Sequence, residues 1–217
     1  MARRVDIWLQ KVRWFPRVAG IVVLLLFSGG VYPTPLDSFL SCLEERTLQS
    51  DFTITISEET VQPMHYTGSI CMRGNCFLLS IFDTEAAYDG KTLYLYNSST
   101  DELTLSIPSE QELLEANPFL YAKALKEACN VTERASKDPS QHIIVLTPKD
   151  ASAGIQRFVL RLKSVEGSGE GGVYLPLSIE IKEGQQVTTL TLQQAKYTQS
   201  SCSFRLDYPD AYLNDLR

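Results

Sequence analysis

Histidine is almost missing from this sequence, with His65 and His142 the only two in 217 residues. Both fall in strand-like runs, with no Cys or carboxylate nearby at metal-ligand spacing, so neither reads as a catalytic base or a ligand. The chain also lacks a G-x-S-x-G elbow and an H-E-x-x-H helix. Glu44-Glu45 and Glu58-Glu59 are adjacent pairs. Neighbours on a strand face opposite ways, and neighbours on a helix do not stack, so neither pair makes an acid/base dyad. No catalytic group, metal site or cofactor motif emerges. The pattern favours binding over catalysis.

Long apolar runs are also lacking, except at the start. Arg3, Arg4, Lys11, Arg13 and Arg17 precede an uncharged apolar run from Val18 to Phe27, followed by Ser28, Gly29 and Gly30. A basic head, a short apolar middle and a small-residue exit describe a secretory signal peptide over 1–30. The run is about half of the roughly 20 residues that span a bilayer, and a retained anchor is the alternative. Either way the rest of the chain is expected outside the cytoplasm, in the periplasm. Positive charge is scarce as well. The net charge is -6, and the part after the basic head is more acidic still. That argues against a nucleic-acid partner. Residues 31–217 have the length of a single domain with its own core.

Five cysteines are present, at 42, 71, 76, 129 and 202. Cys71 and Cys76 flank Met-Arg-Gly-Asn, a turn between two strand-like runs, and a Cys71–Cys76 bridge is expected. Zinc would need a second close pair, which the other three cysteines do not form.

The rest reads as strands around two helical stretches. Thr34 can cap a helix with Pro35 in its first turn, and Leu36, Phe39, Leu40 and Leu43 form its apolar face. Asp51 to Ser57 alternates, with Phe52, Ile54 and Ile56 on one side. Strands are expected at 65–72, 76–82, 92–96 and 102–107. Ser109 and Glu112 have capping-box spacing, and Asn117-Pro118 starts a second helix to about Ala128. A charged connector is expected over 132–140, then strands at 142–147, 156–165, 174–182, 186–195 and 202–207. Gly167 to Gly172 spells G-x-G-x-x-G, but a strand-like run with Pro176 follows where a dinucleotide site needs a helix, so it reads as a hairpin loop.

Many short strands with one apolar face, plus amphipathic helices, describe a mainly β (α+β) chain. Such a sheet, left half open and covered by its helices, makes an apolar cavity. A filled sandwich core is the alternative. Period-2 placement assigns Phe52, Ile54, Ile56, Ile70, Phe77, Leu79, Leu93, Leu95, Leu103 and Leu105 to the cavity. Leu113, Leu114, Phe119 and Leu120 are assigned to a mobile lid over 109–128.

Asp89-Gly-Lys-Thr-Leu-Tyr-Leu-Tyr96 resembles the D-G-K-T segment of the periplasmic outer-membrane lipoprotein carriers, the LolA-like family. The resemblance continues through Asp101 to Pro108 and Glu112 to Phe119. Upstream, Tyr66 to Leu79 is similar to that family's G-x-hydrophobic strand pair. Tyr208-Pro-Asp210 and Asp215-Leu-Arg217 are similar to the ends of Bacteroidetes-type members. The resemblance implies a half-open antiparallel β-barrel with a helical lid, carrying lipoprotein acyl chains as a monomer. It further implies an inner-membrane lipoprotein-releasing complex as donor and an outer-membrane acceptor. In that family a basic residue beside the aromatic of the second strand ties the lid shut; Leu78 stands there in this chain. A structural or regulatory envelope module on the same fold is the second function class, and an enzyme acting on envelope lipids is a third.

Overall fold

The computed structural model describes residues 33–150, 154–165, 172–199 and 202–217; the expected signal segment 1–30 lies outside them. Helix α1 (Pro35–Glu45) leads into six consecutive strands. These are β1 (Thr47–Glu58), β2 (Val61–Arg73), β3 (Cys76–Ile81), β4 (Thr84–Tyr88), β5 (Leu93–Asn97) and β6 (Glu102–Ser106). Helices α2 (Glu110–Ala116) and α3 (Pro118–Ala128) follow. Then come β7 (Cys129–Ala135), β8 (Gln141–Pro148), β9 (Arg157–Val165), β10 (Val173–Glu183), β11 (Gln186–Thr198) and β12 (Tyr212–Asp215).

All twelve strands lie in one sheet, ordered β12-β6-β5-β4-β3-β2-β1-β11-β10-β9-β8-β7. Two meanders, β1–β6 and β7–β11, meet where β1 pairs with β11. The pairings are antiparallel except β12 on β6. The edges β12 and β7 do not join, so the sheet is not closed.

The helices form where the local chemistry specifies them. Thr34 Oγ1 accepts from the Asp37 N–H at 3.2 Å and Asp37 accepts from the Thr34 N–H, a complete capping box ahead of Pro35. Ser109 and Glu112 repeat the device at α2. Asn117 ends α2 and caps α3, accepting from the Phe119 N–H at 3.0 Å.

Residues directly paired across strands share a face. One face, the inner one, carries Leu48, Phe52, Ile70, Met72, Phe77, Leu93, Ile144, Leu146, Phe158, Leu160, Ile179, Leu190 and Leu192. Leu36, Phe39 and Leu43 of α1 and Phe119, Ala122 and Leu125 of α3 bury themselves against it. A β-bulge keeps β11 in phase. Gln194 and Ala195 of β11 lie opposite the single Ser50 of β1 between the Gln49–Lys196 and Asp51–Gln193 pairs, with Gln194 at a φ of 54°. Leu192 and Tyr197, an odd number apart, therefore both face the core.

Three segments differ from the sequence reading, the first being β4, a strand at 84–88 that it lacked. The first four residues of the expected connector at 132–140 belong to strand β7, because their backbone completes the sheet edge beside β8. The expected strand at 202–207 has no sheet partner, and the last strand is β12 instead.

Candidate functional site

The inner face is only partly covered. Residues such as Phe52, Ile70, Phe77 and Leu93 are buried beneath the helices. Ile54, Leu79 and Ile81 are half-buried and packed on that core. Continuing outward, Ile54 pairs with Tyr66 and Ile56 with Met64, while Ala86 pairs with Leu95. Met64 is 40% and Leu95 39% exposed. An apolar strip thus runs from the core to the end of the sheet that holds the β1–β2, β3–β4 and β5–β6 turns. At its middle the Phe52 ring lies over Gly68. A Cβ on Gly68 would come within 2.6 Å of Phe52 Cζ and 2.3 Å of the Ser80 carbonyl oxygen.

Phe52, Ile54, Ile56, Ile70, Phe77, Leu79, Leu93 and Leu95 all lie on this face. Leu103 and Leu105 do not. Their partners are Tyr96 and Tyr94, which share the outer face with Ala87. The alternation within β6 was legible, but the four residues of the β5–β6 turn decide which half of it turns inward. Met64, Tyr66 and Ile81 belong to the strip and were missed. Ile81 continues the alternation of Phe77 and Leu79, while Gly68 interrupts the pattern that would have shown Tyr66 and Met64.

Of the four lid positions, Phe119 is fully buried, with its ring 5.9 Å from that of Phe39. Leu113 packs against the core, and Leu114 and Leu120 are half-buried outside it. Helix α3 is joined to α1 by Lys123–Glu44 at 2.5 Å and by Lys126–Asp37. Lys126, and then the Thr34 hydroxyl, hold the Asp37 carboxyl below its ordinary value. Exposed pairs of this kind add little stability. Leu78 pairs with Cys71 and Ala87 on the outer face, so position 78 points away from the helices.

The bridge expected between Cys71 and Cys76 is not formed; Cys71 is bonded to Cys202. In the β2–β3 hairpin Cys76 pairs with Arg73, and Cys71 with Leu78. The two cysteines are therefore diagonal neighbours, whose Cβ atoms are typically about 7 Å apart, against about 4 Å for a disulfide. Cys202 meets the requirement, with a Cα–Cα distance of 6.5 Å. Cys42, Cys76 and Cys129 are free, and burial followed by the Asp89 carboxylate pushes the Cys76 thiol up.

From Cys202 the chain crosses the outer face of β2–β6. Arg205 pairs with Asp89 at 2.9 Å, and the Tyr208 ring stacks on Tyr96 with centroids 3.6 Å apart. The Tyr208 hydroxyl donates to Glu85 at 2.8 Å, and its pKa is pushed up to about 12 by burial and then by that bond. β12 then runs beside β6, leaving Leu103 and Leu105 buried on the outer face. Among the described residues, no cluster of three His, Cys, Asp or Glu could hold a metal ion, and no helix is long and apolar enough to cross a membrane.

A crystal structure of an uncharacterized conserved protein from Thermus thermophilus superposes with a TM-score of 0.53 at 12% identity. The match covers 83% of this chain and 96% of that one. The two share a fold. A LolA superfamily protein from Nitrosomonas europaea is similar at a TM-score of 0.39 and 11% identity, covering 75% of this chain and 95% of its own. Lipoprotein LppX from Mycobacterium tuberculosis is similar at 0.39 and 12%, covering 76% and 93%. No family's sequence profile matches the chain, and no curated protein matches it in sequence.

Proposed function

We propose that this protein binds acyl chains on the inner face of its sheet and carries them, as a lipoprotein carrier does, across an envelope compartment. The carrying observation is the apolar strip from Ile54 to Met64 and Leu95. It is continuous with the core, yet Met64 and Leu95 at its outer end are exposed. An alkyl chain laid along it would remove apolar surface from water at roughly 25 cal/mol per Å². Entry further inward requires Phe119 and Leu113 to move, and it exchanges one apolar contact for another. The motifs around Asp89, Asp101 and Glu112 support the same reading, as does the signal-like segment at 1–30. On this reading residues 31–217 are one carrier domain, catalysis plays no part, and the donor and acceptor are an inner-membrane releasing complex and an outer-membrane receptor.

The density of the packing beneath α1 and α3 favours the second class, an envelope module that carries no lipid. Native mass spectrometry of the purified protein separates the two. Bound acyl species, or saturable uptake of a fluorescent fatty acid that Leu95→Asp abolishes, supports the carrier. A protein that is lipid-free and takes up no fatty acid is the module.

A further inference from the structure

The outer face carries a row of polar side chains. Gln193, Asp51, Ser69 and Ser80 form one row across four strands, since Asp51 pairs with both Gln193 and Ser69, and Ser69 with Ser80. Thr53 and Thr67 pair in the next row. Strand spacing sets the polar groups about 4.8 Å apart along a row. Asp51, Thr67, Ser69, Ser80 and Gln193, with Phe52, Gly68 and Phe82, line a shallow groove of about 320 Å³. Within the described residues, the Asp51 carboxylate and the hydroxyls of Thr67, Ser69 and Ser80 have no side-chain hydrogen bond or ion pair. The Gln193 amide N–H donates to Thr53 at 3.1 Å, which leaves its carbonyl oxygen to accept.

Phe82 is the second observation. It lies in the two-residue β3–β4 turn at a φ of 51°, and it is 68% exposed. Glycine adopts that backbone freely and a bulky residue does not. The ring touches Tyr66 edge-on at 5.4 Å but gains little burial from it. A strained, solvent-facing aromatic beside unpartnered polar groups points to a ligand rather than to the fold.

We propose that this groove binds a neutral sugar chain, with Phe82 as the platform on which a pyranose ring stacks. The hydroxyls of the sugar match a lining that both donates and accepts. An anionic ligand would meet Asp51 with no Lys or Arg in the lining; Lys196, opposite Gln49, is the basic residue on this face next along β11. An apolar ligand would cover the polar row without satisfying it. The groove shares Phe52 and Gly68 with the acyl strip, and Phe82 touches Tyr66 of that strip, so the test carries a fatty-acid arm beside the sugars.

The test is a titration of the isotopically labelled protein with cellotriose, maltotriose and chitotriose, with inorganic phosphate and laurate as comparison probes. Millimolar binding of a trisaccharide is expected, with amide shifts at 67–69, 80–82 and 193. Phe82→Gly relieves the turn and should leave the fold at least as stable while weakening binding tenfold or more; Asp51→Ala should weaken it similarly. The proposal is overturned if no trisaccharide shifts those amides, if phosphate or laurate shifts them instead, or if a folded Phe82→Gly binds sugar unchanged.

Discussion

Cys71 in β2 and Cys202 in the C-terminal segment are bonded across 131 residues of sequence. The bond pins the start of the segment whose Tyr208 stacks on Tyr96 and whose β12 pairs with β6. Closing so long a loop restricts the unfolded chain, which typically stabilises the native state by roughly 2–4 kcal/mol. Cys202→Ser is expected to lower stability by about that amount in a urea titration. Cys76→Ser is expected to leave the disulfide map of the non-reduced protein unchanged. A Cys71–Cys76 peptide in that map would contradict the pairing.

Gly68 is held by the space around it and not by its backbone angle. Gly68→Ala drives a methyl group into the Ser80 carbonyl oxygen and the Phe52 ring. Overpacking of this kind costs typically 1–3 kcal/mol. Gly184→Ala meets no atom within 4 Å but sits at a φ of 58°, so its smaller loss would reflect backbone strain alone. Thermal unfolding of the two variants, each against the parent, checks the order.

Face assignment predicts opposite results from neighbouring substitutions. Leu95→Asp places a charge on the inner strip and should abolish fatty-acid uptake with a modest loss of stability, because Leu95 is 39% exposed. Leu103→Asp buries a charge on the outer face, where Leu103 is buried. It should destabilise by several kcal/mol while leaving uptake by the folded fraction unchanged. Equal loss of uptake from Leu95→Asp and Tyr94→Asp would mean that the facing is wrong.

Helix α2 should open before the strands. It is seven residues long, and its packing is chiefly against α3. The Ser109 N–H and then its hydroxyl hold the Glu112 carboxyl below its ordinary value of 4.5. A carboxyl depressed in the folded state contributes stability above its unfolded value and loses it as pH falls through the folded one. Protection of the α2 amides from hydrogen exchange should therefore be flat around neutral pH and decline once the pH drops below 4.5. Glu112→Gln should remove that dependence. Protection of α2 equal to that of β1 would show that it is core and not a lid.

The sequence by itself determined what depends on neighbours along the chain. Thr34 with Asp37, Ser109 with Glu112 and Asn117 before Pro118 are local hydrogen-bonding devices, and all three helix starts follow from them. The alternation of Phe52, Ile54 and Ile56 is likewise a property of one strand. Only the tertiary structure decided what depends on register. Four residues in the β5–β6 turn send Leu103 and Leu105 to the outer face, and the hairpin offset denies Cys71 its near neighbour and leaves it to Cys202. The second half of β7, 132–135, reads as a charged connector because a strand on the sheet edge needs only backbone partners, and those lie in β8. Gln193, Asp51, Ser69 and Ser80 are scattered along the chain and become one row only when four strands align. Side-chain period within a strand is set by covalent geometry, whereas pairing between strands is set by turn length and distant packing, which no local pattern encodes.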